Sequence, residues 1–107
     1  MNRRDQTIDL EEFGRFGEPA LLILISLAEG PKHRYAVTED IAAFADVRFG
    51  LYAAIARLEL RGLINALAAD DRRNSYELTA LGERALRARL ASIQAVTRVG
   101  QRRLANA

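Results

Sequence analysis

The side chains best able to do chemistry in this 107-residue sequence are its arginines. Of the 16 cationic residues 15 are arginine, whose planar guanidinium forms paired hydrogen bonds with phosphates and base edges. Residues 1–47 carry five cations and nine acids, a net charge of −4, whereas residues 48–107 carry eleven cations and five acids, a net charge of +6. We therefore expect an anionic partner for the second part. The alternative is that the arginines lie on solvated helix faces.

Catalytic and metal-binding chemistry has little support in the sequence. The chain has no cysteine, so it has no thiolate nucleophile or cysteine-rich zinc site, and its single histidine cannot form a cluster. Its serines have no histidine partner, and its seven glycines are scattered rather than gathered in a phosphate-binding loop. We expect His33 to begin a helix through a hydrogen bond. The sequence predicts no enzymatic activity, no cofactor and no metal.

The length and hydropathy pattern predict one compact cytoplasmic domain. With 50% hydrophobic and 28% charged residues, a chain of this length can bury most of its apolar surface. The longest apolar run, residues 20–25, is far shorter than the roughly 18 to 20 residues of a membrane span. The polar and acidic N-terminus lacks the apolar stretch of a secretory signal, and residues 1–8 are expected to fray.

The spacing of apolar residues predicts two helices in the first half of the chain. The first begins at Pro19 and stops before Gly30. Because this helix is apolar nearly all round, we expect part of it to pack against a second subunit. The second helix covers about residues 34–45. Its buried face is predicted to contain Val37, Ile41 and Phe44.

A third helix and a hairpin are predicted to follow. The third helix covers about residues 51–61, with Leu51, Ile55 and Leu58 buried and Gly62 as its cap. The second and third helices would then form a helix-turn-helix. Residues 63–67 and 75–79 alternate in polarity, which predicts two paired strands. The polar loop between these strands carries Arg72, Arg73 and Asn74 at the tip of the hairpin.

A long helix of about residues 80–104 is predicted to begin at a Thr79 cap. Its apolar residues form a narrow seam, which usually packs against another helix rather than a broad core. A second copy of the chain is the simplest partner. The residues expected at this dimer interface are Phe13, Phe16, Leu86, Leu90, Ile93, Val96, Thr97 and Leu104.

At the level of motifs, the sequence resembles the PadR-like family of winged helix-turn-helix transcriptional regulators. The likeness spans residues 13–86, and its specificity lies in the order and spacing of the motifs. The motifs are Phe16-Gly-Glu-Pro-Ala-Leu-Leu-Ile-Leu24, His33-Arg-Tyr35, Leu51-Tyr-Ala-Ala-Ile-Ala-Arg-Leu-Glu59, Arg61-Gly-Leu-Ile64 and Tyr76-Glu-Leu-Thr-Ala-Leu-Gly82.

The resemblance implies a mainly α fold with a small β-hairpin and a long C-terminal dimerisation helix. Residues 1–79 would form the DNA-binding part and residues 80–107 the dimerisation helix of the same structural domain. The family's shorter members, with a single C-terminal helix, are homodimers that usually repress transcription. We therefore expect a homodimer bound to duplex DNA at a pseudo-palindromic operator. Some family members also bind a small-molecule inducer at the dimer interface, which here would lie near Phe13 and Phe16.

The resemblance places Tyr35, Tyr52 and Arg57 near DNA. The alternative roles are core aromatic residues for the tyrosines and a solvent-facing ion-pair partner for Arg57. Arg48 precedes the third helix and can read a base edge, because an arginine fork pairs well with guanine. The hairpin tip, with Arg72, Arg73 and Asn74, is expected to reach the DNA backbone or minor groove.

Two departures from the family pattern affect this prediction. Arg34 occupies a position that is usually glycine, and it can supply a phosphate contact in place of a close backbone approach. The family also usually carries about three more residues, resembling Pro-Gly-Thr, between the positions matching Gly50 and Leu51. Without them the turn is shortened, or the second and third helices merge over residues 36–61. A merged helix would favour the alternative function, a dimeric interaction module that has lost DNA binding.

Overall fold

The computed structural model describes residues 18–67 and 74–107, and these ranges contain four helices and three short strands. Their order confirms the predicted mainly α winged helix-turn-helix fold with a long C-terminal helix. None of the described helices is long and apolar enough to cross a membrane. In chain order the elements are α1 (Pro19–Ala28), β1 (Lys32–His33), α2 (Arg34–Ala45), α3 (Leu51–Leu60), β2 (Ile64–Ala66), β3 (Ser75–Leu78) and α4 (Ala80–Ala105).

Helix α1 is the centre of the hydrophobic core. Pro19 occupies the first turn, where its missing N–H is not needed. The helix packs against α2, α3, α4 and β3, which bury Ile23 completely and Leu27 to 2% exposure. Most of its apolar surface is thus covered within its own chain, whereas the sequence suggested that part of it needed a second subunit. Only Leu21 and Ile25 among its large apolar side chains are partly exposed.

Helix α2 begins as the sequence predicts. His33 is its N-cap, and the His33 Nδ1 atom accepts a hydrogen bond of 3.0 Å from the backbone N–H of Tyr35. Val37 and Ile41 are completely buried, but the prediction for Phe44 was wrong, because its side chain is 47% exposed. Phe44 shares the face of the two buried residues but lies in the last turn, where the described elements no longer cover it.

The α2–α3 connection, residues 46–50, keeps the two helices separate. Asp46 has a φ of 54° and Gly50 a φ of 78°, both in the left-handed region that interrupts a right-handed helix. The merged helix over residues 36–61 is therefore wrong. Gly50 is also the N-cap of α3, and its carbonyl accepts the first helical hydrogen bond from Ala54.

Helix α3 buries one face and ends in a Schellman motif. Leu51, Ile55 and Leu58 are each 3% exposed, which confirms the predicted buried face. At the end of the helix, the N–H of Gly62 donates to the Glu59 carbonyl and the N–H of Leu63 donates to the Leu58 carbonyl. Gly62 has a φ of 79°, a conformation that glycine adopts without strain.

The predicted hairpin is present, and a third strand joins it. In the hairpin, β2 and β3 are antiparallel, with Ile64 opposite Leu78 and Ala66 opposite Tyr76. The sequence did not predict β1, which pairs with the other edge of β3 and gives the sheet order β1-β3-β2. This pairing holds the start of α2 beside Ser75 and Asn74, at the loop end of β3.

Helix α4 is anchored at its first turn and then extends away from the core. The Thr79 hydroxyl accepts a hydrogen bond of 3.0 Å from the N–H of Gly82, which confirms the predicted cap. Gly82 is buried against Leu63 and β3, and a Cβ there would collide with the Leu63 carbonyl and lie 2.9 Å from a methyl of Leu78. Beyond Leu86 every side chain of α4 is exposed.

Candidate nucleic-acid interface

The N-terminal ends of α2 and α3 lie side by side. The Arg34 guanidinium carbon lies 4.7 Å from the centroid of the Tyr52 ring, a cation–π contact between the two helices. The Arg34 backbone N–H donates a hydrogen bond of 2.8 Å to the carbonyl of Asn74, at the start of β3. The beginnings of α2, α3 and the last strand of the hairpin therefore meet at one place on the surface.

Two tyrosines and two arginines are presented at this place. Tyr35 is 60% exposed and Tyr52 is 51% exposed, so neither is a core aromatic residue. Both line an open cavity of about 370 Å³ together with Arg48 and Phe49. A neighbouring cavity of about 520 Å³ is lined by Tyr35 and Arg48. We call the group Arg34, Tyr35, Arg48, Phe49 and Tyr52 the basic-aromatic surface.

Arg48 retains its capacity to bind an anion. Its Nη2 atom lies 3.4 Å from the Oδ1 atom of Asp46, and both side chains are about two-thirds exposed, at 65% and 70%. An exposed ion pair of this kind contributes at most about 1 kcal/mol. A phosphate can therefore replace the Asp46 carboxylate at little cost.

Arg57 lies on a different side of α3 from the basic-aromatic surface. Arg57 lies five positions after Tyr52, which places its side chain about 140° from that of Tyr52 round the helix. Arg57 is exposed and lines a groove of about 420 Å³ between α1, α3 and α4, together with Arg61 and Arg89. The structure thus does not bring Arg57 together with Arg34, Arg48 and the tyrosines. The groove lies between the first and last described helices, where the sequence hypothesis places an inducer, and an inducer remains a prediction.

Part of the predicted interface lies outside the described residues. This applies to Arg72 and Arg73 at the hairpin tip and to Phe13 and Phe16 before α1. Asn74 is described, is exposed and has a φ of 63°, a left-handed conformation that asparagine tolerates well. Its carbonyl accepts a hydrogen bond from the backbone N–H of Arg34, so Asn74 lies beside the basic-aromatic surface.

The predicted seam on α4 is largely uncovered. Leu86 is 6% exposed and already belongs to the core of its own chain. Thr97, further along, is exposed as well. The apolar seam residues beyond Leu86 are exposed as follows: Leu90 43%, Ile93 37%, Val96 69% and Leu104 78%.

Sequence reasoning missed Phe49 as a member of this surface. Phe49 is 86% exposed, although phenylalanine usually marks a core position. A signal was present in the sequence, because Phe49 lies between Arg48 and Gly50, outside the apolar spacing of either helix. Sequence reasoning considered only the length of the α2–α3 connection and not the side chains that it exposes.

Comparison with known proteins connects this geometry to a family. Residues 23–88 match the model of the transcriptional regulator PadR-like family. A Streptomyces fradiae protein of 37.1 kDa encoded in transposon TN4556 is 36% identical over 75 residues, which are 67% of this chain but only 22% of that protein. The chain thus spans about a fifth of this relative.

Two solved structures share the fold. A PadR family transcription regulator from Clostridium difficile superposes with a TM-score of 0.72 at 19% identity, covering 82% of this chain and 99% of that one. A transcriptional regulator from Clostridium thermocellum superposes with a TM-score of 0.65 at 26% identity, covering 78% and 89%.

The family match extends from α1 through the basic-aromatic surface and the sheet into α4. The family consists of regulators of transcription, which confirms the prediction that the chain is not an enzyme. Because the match covers more than half of the sequence, we conclude that this chain is a member of the PadR-like family of transcriptional regulators.

Proposed function

We propose that the chain is a homodimeric repressor that binds duplex DNA at a pseudo-palindromic operator. The observation that carries this proposal is the convergence of Arg34, Arg48, Tyr35 and Tyr52 where α2 and α3 begin. In a helix-turn-helix, the N-terminal part of the second helix enters the major groove and the first helix crosses the backbone. The presence of Arg34 and Arg48 at these helix ends supports the proposal, because phosphates flank such a groove.

We assign the contacts as follows. Arg34 and Arg48 bind phosphates, and the hydroxyls of Tyr35 and Tyr52 supply further hydrogen bonds to the backbone. The hairpin tip, with Arg72, Arg73 and Asn74, reaches the adjacent backbone or minor groove as the wing. Arg57 is left out of this interface, because its side chain lies towards the groove beside α4.

The dimer supplies the symmetry of the operator. Residues 1–79 form the DNA-binding part and residues 80–107 the dimerisation helix, whose exposed apolar seam packs against the same seam of a second copy. Two recognition helices about 34 Å apart would then enter successive major grooves on one side of the duplex. We assign repression rather than activation because the shorter members of the family usually repress transcription.

The alternative function, an interaction module with weakened or lost DNA binding, rests on the shortened turn before α3, and a merged helix would have favoured it. The α2–α3 connection separates the helices through Asp46 and Gly50 and leaves the N-terminal end of α3 accessible. We therefore favour DNA binding, even though the connection is shorter than the family pattern.

A binding titration tests this proposal. A labelled genomic fragment upstream of the gene and a scrambled duplex of equal length are titrated with the purified chain at two salt concentrations. We expect tighter and dimer-dependent binding to the upstream fragment, with affinity falling as salt rises because phosphate contacts release counterions. Absence of binding to either duplex at low salt would contradict the proposal and support the interaction module.

A further inference from the structure

Phe49 is more exposed than either tyrosine of the basic-aromatic surface, at 86%. It lies in the α2–α3 connection, immediately before Gly50 and the start of α3. A single apolar side chain on a protein surface needs no explanation. Phe49, however, lines the same open cavity as Tyr35, Arg48 and Tyr52, so its ring stands among groups suited to contact a nucleic acid.

The accessible end of α3 offers unusual chemistry for reading bases. The exposed side chains in its first two turns are Tyr52, Ala53, Ala56 and Arg57. Of these only Arg57 carries the kind of polar group that makes paired hydrogen bonds with a base edge. It lies one turn beyond Ala53, where it lines the α4 groove. The other exposed side chains at the start of α3 are Tyr52 and the methyl groups of Ala53 and Ala56. Phe49 lies just before the helix.

The major groove contains one apolar group that fits this surface, the 5-methyl group of thymine. Alanine and phenylalanine side chains are known to contact this methyl in protein–DNA complexes. Arg48 lines the same cavity as Phe49, and Arg34 lies over the neighbouring Tyr52 ring, so the cations near Phe49 could bind phosphates. A base edge rather than the backbone would then face the ring.

We propose that Phe49, together with Ala53 beside it, contacts the 5-methyl group of a thymine in each operator half-site. This inference rests on the proposed function, since it requires α3 to enter the major groove. Phe49 is then a specificity-determining residue, whereas Arg34 and Arg48 bind phosphates whatever the base sequence. The same contact accepts 5-methylcytosine, which carries its methyl at the equivalent ring position.

The test removes the methyl group without changing base pairing. Duplexes bound by the wild-type chain are enriched from a random-sequence library, and the enriched site is resynthesised with each thymine replaced in turn by deoxyuridine in both half-sites. At one position we expect about fifteenfold weaker binding, which corresponds to about fourfold for each buried methyl. A 5-methylcytosine–guanine pair there should bind about fourfold more tightly per half-site than a cytosine–guanine pair.

A Phe49→Ala variant assigns the effect to the ring. The variant should bind the thymine and deoxyuridine duplexes with nearly equal affinity. Leu60→Ala is the matched control, because Leu60 is 87% exposed at the other end of α3 and should leave the uracil sensitivity unchanged. Both side chains are largely outside the core, so both variants should keep the thermal midpoint of the wild type, as measured by circular dichroism.

The outcomes separate this inference from the function on which it rests. Insensitivity to every deoxyuridine, sensitivity that persists in Phe49→Ala, or binding without enrichment of any site would overturn the role of Phe49 and leave salt-dependent DNA binding intact. Failure to bind any duplex at low salt would instead reject the proposed function.

Discussion

Arg34 lies at the junction of α2 and α3, where we propose that it contacts a DNA phosphate. The position usually holds glycine, and in this chain the arginine lies over the Tyr52 ring, 4.7 Å from its centroid. The ring holds the guanidinium at the junction of α2 and α3, so less conformational entropy is lost when a phosphate binds. Arg34 thus links the two helices of the proposed interface while it supplies a charge.

An Arg34→Ala variant tests this role. Affinity should fall for all duplexes by a similar factor, because phosphate contacts carry no sequence information. The slope of log affinity against log salt should decrease by about two for a dimer, close to 0.9 for each lost phosphate contact. Arg84→Ala, which removes an exposed arginine of α4, is the control and should leave the slope unchanged. An unaltered slope in Arg34→Ala would show that Arg34 makes no phosphate contact.

Lys32, the single lysine of the chain, joins α1 to α2. Its Nζ atom donates to the Ser26 carbonyl in the last turn of α1 and to Glu29 Oε1 at 2.6 Å, and lies 3.5 Å from Asp40 Oδ2 in α2. The buried Ser26 hydroxyl donates to the same Asp40 oxygen at 2.7 Å. A cation at a helix C-terminus also interacts favourably with the helix dipole.

A Lys32→Met variant should lower the free energy of unfolding by about 1–3 kcal/mol, because it leaves the Asp40 carboxylate and the Ser26 carbonyl with fewer partners. Chemical denaturation monitored by circular dichroism measures the change. Arg84→Met removes an exposed cation from α4 and should change stability by less than about 0.5 kcal/mol. Equal stability of the two variants would show that the contacts of Lys32 with Ser26, Glu29 and Asp40 do not contribute to the free energy of unfolding.

At the scale of elements, the position of α4 depends on a close approach to the sheet. Thr79 caps the helix through Gly82, and its hydroxyl also lies 2.8 Å from the Gly62 carbonyl. Gly82 in turn lets the first turn of α4 pack directly on the backbone of Leu63. The motif Tyr-x-Leu-Thr-x-x-Gly therefore has a structural basis. Its first part forms the end of β3, its threonine caps α4, and its glycine lets the helix backbone approach Leu63.

A Gly82→Ala variant should lower the free energy of unfolding by about 1–3 kcal/mol, because a Cβ would force α4 away from Leu63. This result would run against the usual preference for alanine in a helix, which is about 1 kcal/mol. Thermal or chemical denaturation measures it, with Arg84→Ala on the same helix as the control. A variant more stable than the wild type would contradict the close packing.

At the scale of the whole molecule, α4 gives the described residues an elongated shape, because the side chains of α4 beyond Leu86 are exposed among residues 18–67 and 74–107. The principal extents are 56 × 27 × 27 Å, and the helix of 26 residues leaves the core after Leu86. Leu90 and Ile93 are 43% and 37% exposed, so a large part of their apolar surface remains uncovered by the described residues. A second copy of the helix would complete the burial.

Replacing Leu90 and Ile93 together with glutamate should convert the dimer to a monomer, because the paired seams would bury unpaired charge. Analytical ultracentrifugation gives the mass, and operator affinity should fall with dimerisation. The control is the pair Ala88→Glu and Ala95→Glu, which adds the same charge on the opposite side of α4. A dimer that persists in the seam variant would show that the subunits associate elsewhere.

The sequence by itself determined the helices, their caps and the hairpin, because these depend on neighbouring residues. His33 and Thr79 cap helices, and Gly62 ends one, through hydrogen bonds that span only a few positions. The apolar period likewise identified Val37 and Ile41 as buried. The order of the elements was then sufficient to indicate a winged helix-turn-helix.

Only the tertiary structure decided which side chains share a surface. Strand β1 is two residues long and exists through its pairing with β3, more than 40 residues away in the sequence. The left-handed conformation of Asp46 separated α2 from α3 where local pattern allowed a merged helix. The directions of Arg57 and Phe49 likewise follow from how α3 packs on α1. The spatial neighbours of an exposed side chain depend on the arrangement of elements that are distant in the sequence.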